Sequence, residues 1–159
     1  MSTITPCLWF DTEGEEAAEF YTSIFPNSRI RHVARYGEAG PRRAGTVMTV
    51  SFELDGQKFV ALNGGPGFTF NEAISFQIDC RSQEEVDDYW SRLSEGGEEG
   101  PCGWLKDRFG VSWQVVPTRL TELLDDPDQE LSQRVMSAML QMRKIDIATL
   151  EEAAAGAPA

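Results

Sequence analysis

The side chains that could do chemistry are few. One histidine, His32, occurs among 159 residues, which excludes a multi-histidine metal cage and leaves any histidine-assisted nucleophile a single partner. Cys7, Cys80 and Cys102 are widely spaced, form no Cys-x-x-Cys pair and, being three, cannot all be matched within one chain. Free thiols in a reducing cytoplasm are expected. Hydrogen-bonding capacity lies instead in neutral groups. Gln77, Gln114, Ser75, Thr49 and Ser51 fall in β-type runs, where an amide or hydroxyl needs a partner from the fold, water or a ligand. Lys106 and Asp107 would serve as base and acid, but they precede the turn at Phe109-Gly110, and a solvated turn pair is the expected reading. Gly64-Gly-Pro-Gly67 follows a strand-like run, yet the next residues, Phe68-Thr-Phe-Asn71, do not start a helix. A nucleotide cradle needs that helix, so the loop reads as a tight turn and no cofactor is expected.

The elements that must position these groups come in two matching sets. The apolar run 4–10 is followed by Thr12-Glu-Gly-Glu15, which has the form of a capping box and announces a helix. Runs 46–54 and 57–63 are joined by Asp55-Gly56, a two-residue hairpin signal that pairs Phe52 with Phe59 and Glu53 with Lys58 as an ion pair. A strand over 73–80 then leads into a second capping box, Ser82-Gln-Glu-Glu85, and a helix that ends near Gly96-Gly97. Glu15-Glu-Ala-Ala-Glu-Phe-Tyr21 matches Glu84-Glu-Val-Asp-Asp-Tyr-Trp90 in charge and aromatic character at an offset of 69 positions, an internal repeat.

The reading is an α+β fold of tandem β-α-β-β-β modules with C-terminal helices. Its expected boundaries are a paired domain 1–117 (module one 1–66, module two 73–117), a helical extension 118–153 and a disordered tail 154–159. In the extension, Leu120, Leu123 and Leu124 mark one short helix, Pro127-Asp128 opens a longer one with Leu131, Val135, Met139 and Met142, and Asp146 caps a last. That apolar stripe is expected to pack on the domain or on a dimer mate.

Composition narrows the partners. With 41% apolar residues the chain can bury a core unaided. Fourteen basic against 26 acidic residues give a net charge of -12, so nucleic acid and anionic membrane surfaces are poor partners. No secretory leader or membrane-spanning run is evident, and a cytoplasmic location is expected.

The wording of the repeat is specific. Pro6-Cys-Leu-Trp-Phe-Asp11, Phe25-Pro-Asn-Ser28, Leu62-Asn-Gly-Gly-Pro66, Phe70-Asn-Glu-Ala-Ile-Ser-Phe76, Cys102-Gly-Trp-Leu-Lys-Asp107 and Phe109-Gly-Val-Ser-Trp-Gln-Val-Val-Pro117 resemble the PhnB-like branch of the vicinal oxygen chelate superfamily. That superfamily joins glyoxalase, bleomycin-resistance and dioxygenase proteins, and this branch often carries a demethylubiquinone methyltransferase label. The resemblance implies that the modules form a curved mixed sheet around a cavity and that the protein is a homodimer, and it implies metal-ligand positions at Pro6, Ser75 and Gln114, with Val60 the mate of Gln114 when Gly56 is aligned with Gly110. Proline and valine cannot ligate, and serine and glutamine are weak neutral donors, so no bound metal is expected.

Strand alternation then divides the side chains. The open face is expected to carry Leu8, Phe10, Thr49, Ser51, Val60, Leu62, Ser75, Gln77, Ser112 and Gln114, with Trp104 as a wall. All of these but Ser112 form the expected ligand-binding set. Trp9, Val50, Phe52, Phe59, Phe76, Ile78 and Trp113 are expected beneath the helices. With no acid or base on the open face away from Glu53, no catalytic residue is assigned. A protein that binds a small organic metabolite is the first reading. A metal-independent isomerase, lyase or transferase-like enzyme on an aromatic or oxygenated metabolite, oriented by Gln114, Gln77 and Ser75, is the second; a non-catalytic dimeric regulatory module is the third.

Overall fold

The computed structural model describes residues 2–156; of the expected 154–159 tail, Ala154 closes the last helix and 157–159 lie outside the described residues. Two compact units result, Met1–Phe70 and Asn71–Ala159. Each contains the order β-α-β-β-β, and strand pairing closes within each unit to give two four-stranded mixed sheets.

The first unit comprises β1 (Cys7–Phe10), α1 (Gly14–Ile24), β2 (Arg29–Arg35), β3 (Val47–Leu54) and β4 (Gln57–Asn63), with sheet order β1-β4-β3-β2. Asp55 and Gly56 both take positive φ, 48° and 84°, the geometry of a two-residue hairpin turn. The turn fixes the expected register, with Phe52 opposite Phe59, their rings stacked at 5.4 Å, and Glu53 opposite Lys58. The expected Glu53–Lys58 ion pair does not form. Glu53 instead reaches Arg29 at 3.7 Å and Arg31 at 3.6 Å, because β2 brings Arg29 directly opposite it on the other side of β3.

The start of α1 also differs from expectation. Thr12 makes no cap; the Gly14 amide donates to Asn63 Oδ1 at 2.7 Å, so the cap comes from the end of β4. Asn63 is buried, its Nδ2 donating to the Val47 carbonyl at 3.2 Å and its own main-chain carbonyl accepting from the Tyr36 hydroxyl at 2.5 Å. From this anchor Ala17, Ala18, Tyr21 and Ile24 of α1 are buried together with Val50, Phe52 and Ala61, and the Tyr21 ring stacks toward Phe52 at 6.3 Å.

The second unit holds β5 (Ser75–Cys80), α2 (Gln83–Ser94), β6 (Glu98–Glu99), β7 (Trp104–Lys106) and β8 (Ser112–Pro117), with sheet order β5-β8-β7-β6, followed by α3 (Thr118–Leu124), α4 (Gln129–Met139) and α5 (Ile147–Ala154). Here the capping serine is used: Ser82 Oγ accepts from the Glu85 amide at 3.2 Å, while Glu85 reaches back to the Arg81 amide at 2.7 Å. Val86, Trp90 and Leu93 are buried with Leu105, Trp113 and Val115. A second core joins Val116 at the end of β8 to Leu120, Leu123, Val135, Ile145 and Leu150, with Leu131, Met139 and Met142 packed against it. The apolar stripe of the appended helices is therefore consumed largely within this unit. Asp128 and Asp146 cap α4 and α5 as expected. No helix among the described residues is long and apolar enough to cross a membrane.

Candidate functional site

In the second sheet, cross-strand register assembles two rows on the face opposite α2. One row runs Glu98, Lys106, Ser112, Ser75, and the next runs Trp104, Gln114, Gln77. Residues directly opposite one another across paired strands share a face. A cavity of about 530 Å³ opens on this face, lined among others by Glu72, Glu98, Cys102, Trp104, Lys106 and Ser112.

Its floor holds an anomaly. Ser112 is 1% exposed, and its Oγ has no hydrogen-bond partner among the described residues. An unpartnered buried hydroxyl costs about 1–3 kcal/mol, and a ligand atom is one way to recover it. Lys106, on the same row, is ion-paired with Glu72. The bond from Glu72, with Glu98 adding, holds the Lys106 ammonium above its ordinary value; the same bond holds the Glu72 carboxyl below the usual carboxylate range.

The two glutamines find partners inside the sheet. Gln114 Nε2 donates to Ser75 Oγ at 2.9 Å, and Gln77 Nε2 donates along its own strand to Asp79 at 2.9 Å, where it is exposed. Asp107 is no solvated turn residue. It is buried, Oδ1 accepting from the Phe109 and Val111 amides at 2.8 and 3.1 Å and Oδ2 from the Trp113 indole at 2.8 Å. It ties the β7–β8 turn, while its neighbour Lys106 faces the cavity. The expectation of an open face without ionisable groups fails here: period-two alternation from Trp104 already places Lys106 beside it. Nothing in the local sequence marks Glu72 or Glu98.

In the first unit, Thr49, Ser51, Val60 and Leu62 do share the open face, and all are half-buried. Leu8 and Phe10 do not. They stand opposite Ala61 and Asn63, on the face covered by α1, and are 7% and 2% exposed; Trp9, expected in the core, stands opposite Leu62 on the open face. The cause is one residue of linker. Three residues, 11–13, separate β1 from α1, whereas two, 81–82, separate β5 from α2. An offset of 69 measured on the helices thus becomes 70 on the strands, Phe10 matching Cys80, and a one-residue slip exchanges the faces of a strand. A hollow of about 740 Å³ in this unit lies at the start of α1, where Arg35, Arg42 and Arg43 are offset by Glu13, Glu15 and Glu16.

The positions at which a metal would be expected do not suit one. Pro6 and Val60 are adjacent, the Val60 amide donating to the Pro6 carbonyl at 2.9 Å, but neither has a donor side chain. Ser75 and Gln114 are bonded to each other. Among the described residues no group of three His, Cys, Asp or Glu side chains is placed to hold a metal ion. The glycine loop is likewise occupied by protein: a Cβ at Gly64 would lie 2.3 Å from the Trp9 ring, and the Trp9 indole donates to the Gly65 carbonyl at 2.9 Å. Gly64 is therefore needed for packing against Trp9.

Comparison with known proteins places this geometry. A PhnB protein from Bacillus cereus is 37% identical over 73% of this chain and 99% of its own, with a TM-score of 0.65. A protein from Pseudomonas aeruginosa (21% identity, 74% and 98% covered, TM-score 0.61) and a fosfomycin resistance protein, FosX, from Listeria monocytogenes (16%, 74% and 93%, TM-score 0.51) share the fold. No curated protein matches the chain significantly. The sequence profile of the 3-demethylubiquinone-9 3-methyltransferase family matches residues 2–116, and with the Bacillus cereus likeness it makes this chain a member of that family, of the PhnB type.

Proposed function

We propose that this chain binds a small organic molecule in the cavity on the open face of the second sheet, without a metal or a methyl donor. The observation that carries the reading is the buried, unpartnered Ser112 hydroxyl in the floor of a cavity walled by Trp104. A concave site with an aromatic wall and a few convergent polar groups is the usual form of a small-molecule site. Trp104 offers a stacking surface. Ser112 and the Lys106 ammonium can hydrogen-bond an oxygen of the ligand.

The family's description names a methyl transfer. Support for a methyl-donor cradle is missing, since the Trp9 ring fills the space at Gly64 and no helix begins after the loop. Acid-base catalysis is the second reading, favoured by the presence of Lys106 and Glu72 at the cavity. Their mutual bond weighs against it, because it keeps the amine protonated and the carboxyl ionised, and a general base must be free to take a proton near working pH. This reading includes a cytoplasmic homodimer.

Thermal denaturation of the full chain against a panel of small aromatic and oxygenated compounds tests it. A ligand of the folded state at a hundredfold excess over its Kd should add about 2.7 kcal/mol. Trp104→Ala and Ser112→Ala should each weaken that binding about tenfold, ~1.4 kcal/mol. Saturable binding that both variants leave unchanged, or no saturable binding across the panel, would sink the assignment of this cavity.

A further inference from the structure

The cavity wall is held from outside the part of the chain that relatives share. The family profile ends at residue 116, and the Bacillus cereus protein is matched over 99% of its length while 73% of this chain is covered. The added helices α3, α4 and α5 pack on Val116 at the end of β8. From their α4–α5 connection two consecutive carbonyls reach the cavity loop: the Cys102 amide donates to the Met142 carbonyl and the Gly103 amide to the Arg143 carbonyl, both at 2.8 Å.

Those bonds sit at a bend that few backbones adopt. Cys102 and Gly103 both have positive φ, 57° and 85°, and only the second is a glycine, so Cys102 must be held there by its surroundings. A side chain at Gly103 would meet the Val115 carbonyl at 2.9 Å and Ile145 at 3.2 Å. The bend leads directly into Trp104, whose amide donates to the Pro101 carbonyl at 3.0 Å. The α4–α5 connection is itself pinned to the start of α2. Gln83 donates to the Ile145 carbonyl at 3.0 Å and accepts from the Ile147 amide at 2.8 Å, and Lys144 pairs with Asp87 at 2.9 Å. Ile145 is fully buried beneath it.

We propose that the appended helices are a brace for the binding site: through the Met142 and Arg143 carbonyls they set the Cys102–Gly103 bend and with it the position of Trp104. Gln83 is then a positioning residue that acts on Trp104 without touching the cavity. If the cavity binds a ligand, as proposed above, occupancy and docking of the α4–α5 connection are linked, each favouring the other.

The test uses the full chain. Gln83→Ala should speed amide hydrogen exchange at Cys102 and Gly103 about tenfold and should shift the Trp104 indole resonance, identified by its loss in Trp104→Phe. Arg134→Ala, which removes bonds to the Ala153 and Ala154 carbonyls at the far end of α5, should do neither. Lys144→Ala provides the same reading if Gln83→Ala does not fold. Exchange at Cys102 and Gly103 as slow as in the parent, or an unmoved indole, overturns the brace. Linkage is read with 8-anilinonaphthalene-1-sulfonate, whose saturating binding should slow exchange at Ile147. Dye that binds in a Trp104-dependent way without changing Ile147 removes the linkage and leaves the cavity standing. Absence of Trp104-dependent dye binding counts against the cavity, while Gln83→Ala still decides the brace.

Discussion

Ser112 and Asp107 show how little residue type alone says about role. A serine in a strand is commonplace, and this one becomes chemically pointed only because burial leaves its Oγ without a partner. An aspartate before a turn suggests a solvated acid, yet three donors from the turn and from Trp113 enclose it. The cysteines divide in the same way. Cys7 is exposed and Cys80 is buried; burial, with Glu85 and Asp79 adding, pushes the Cys80 thiol up to about 12. The unfolded chain loses that proton near the ordinary thiol value of about 8.5, whereas the folded chain keeps it. Stability present below that pH should therefore fall as pH rises toward 12. Maleimide labelling of the native protein near pH 8 should modify Cys7 well before Cys80, since only exposed thiolate reacts readily; equal rates would contradict the burial.

Among the elements, the two helices make the most instructive pair. Their sequences match, and both carry a capping pattern, but only α2 uses its serine. α1 is capped by Asn63 from β4, 49 residues away, a contact that no local pattern could announce. Thr12→Ala should consequently change stability by less than about 0.5 kcal/mol. Asn63→Ala removes a buried cap and leaves the Gly14 amide and the Val47 carbonyl unpaired, and should cost roughly 2–4 kcal/mol. Urea denaturation of both variants checks the contrast; comparable losses would mean that Thr12 caps the helix after all. The Asp55-Gly56 hairpin was legible to the residue, because turn chemistry fixes register locally. The facing of β1 was not, because one additional linker residue between β1 and α1 inverts it.

For the whole molecule, the repeat implies two similar halves, and each half does form its own four-stranded sheet. What distinguishes this chain is the set of helices after residue 117, whose leucines and methionines pack around Val116 and Ile145. Several large apolar residues remain outside any core: Ile4, Phe68 and Ile74 are 91%, 70% and 73% exposed. Scattered exposed apolar residues of this kind are ordinary on a protein surface, so the proposed homodimer calls for a direct measurement of mass. Light scattering coupled to gel filtration should give twice the 17.7 kDa chain mass across a wide concentration range. A monomer throughout would refute the dimer, and the cavity assignment would be unaffected.

By itself the sequence determined the duplicated β-α-β-β-β order, the hairpin register, the caps of the last two helices and the shortage of imidazole, because each depends on residues close together in the chain or on composition. Only the tertiary structure decided which face Leu8, Trp9 and Phe10 present, that Asn63 caps α1, and that Lys106, Glu72 and Ser112 meet beside Trp104. Those outcomes depend on linker length and on contacts between distant segments, where the loss of a single residue in a connection exchanges the core face for the open one.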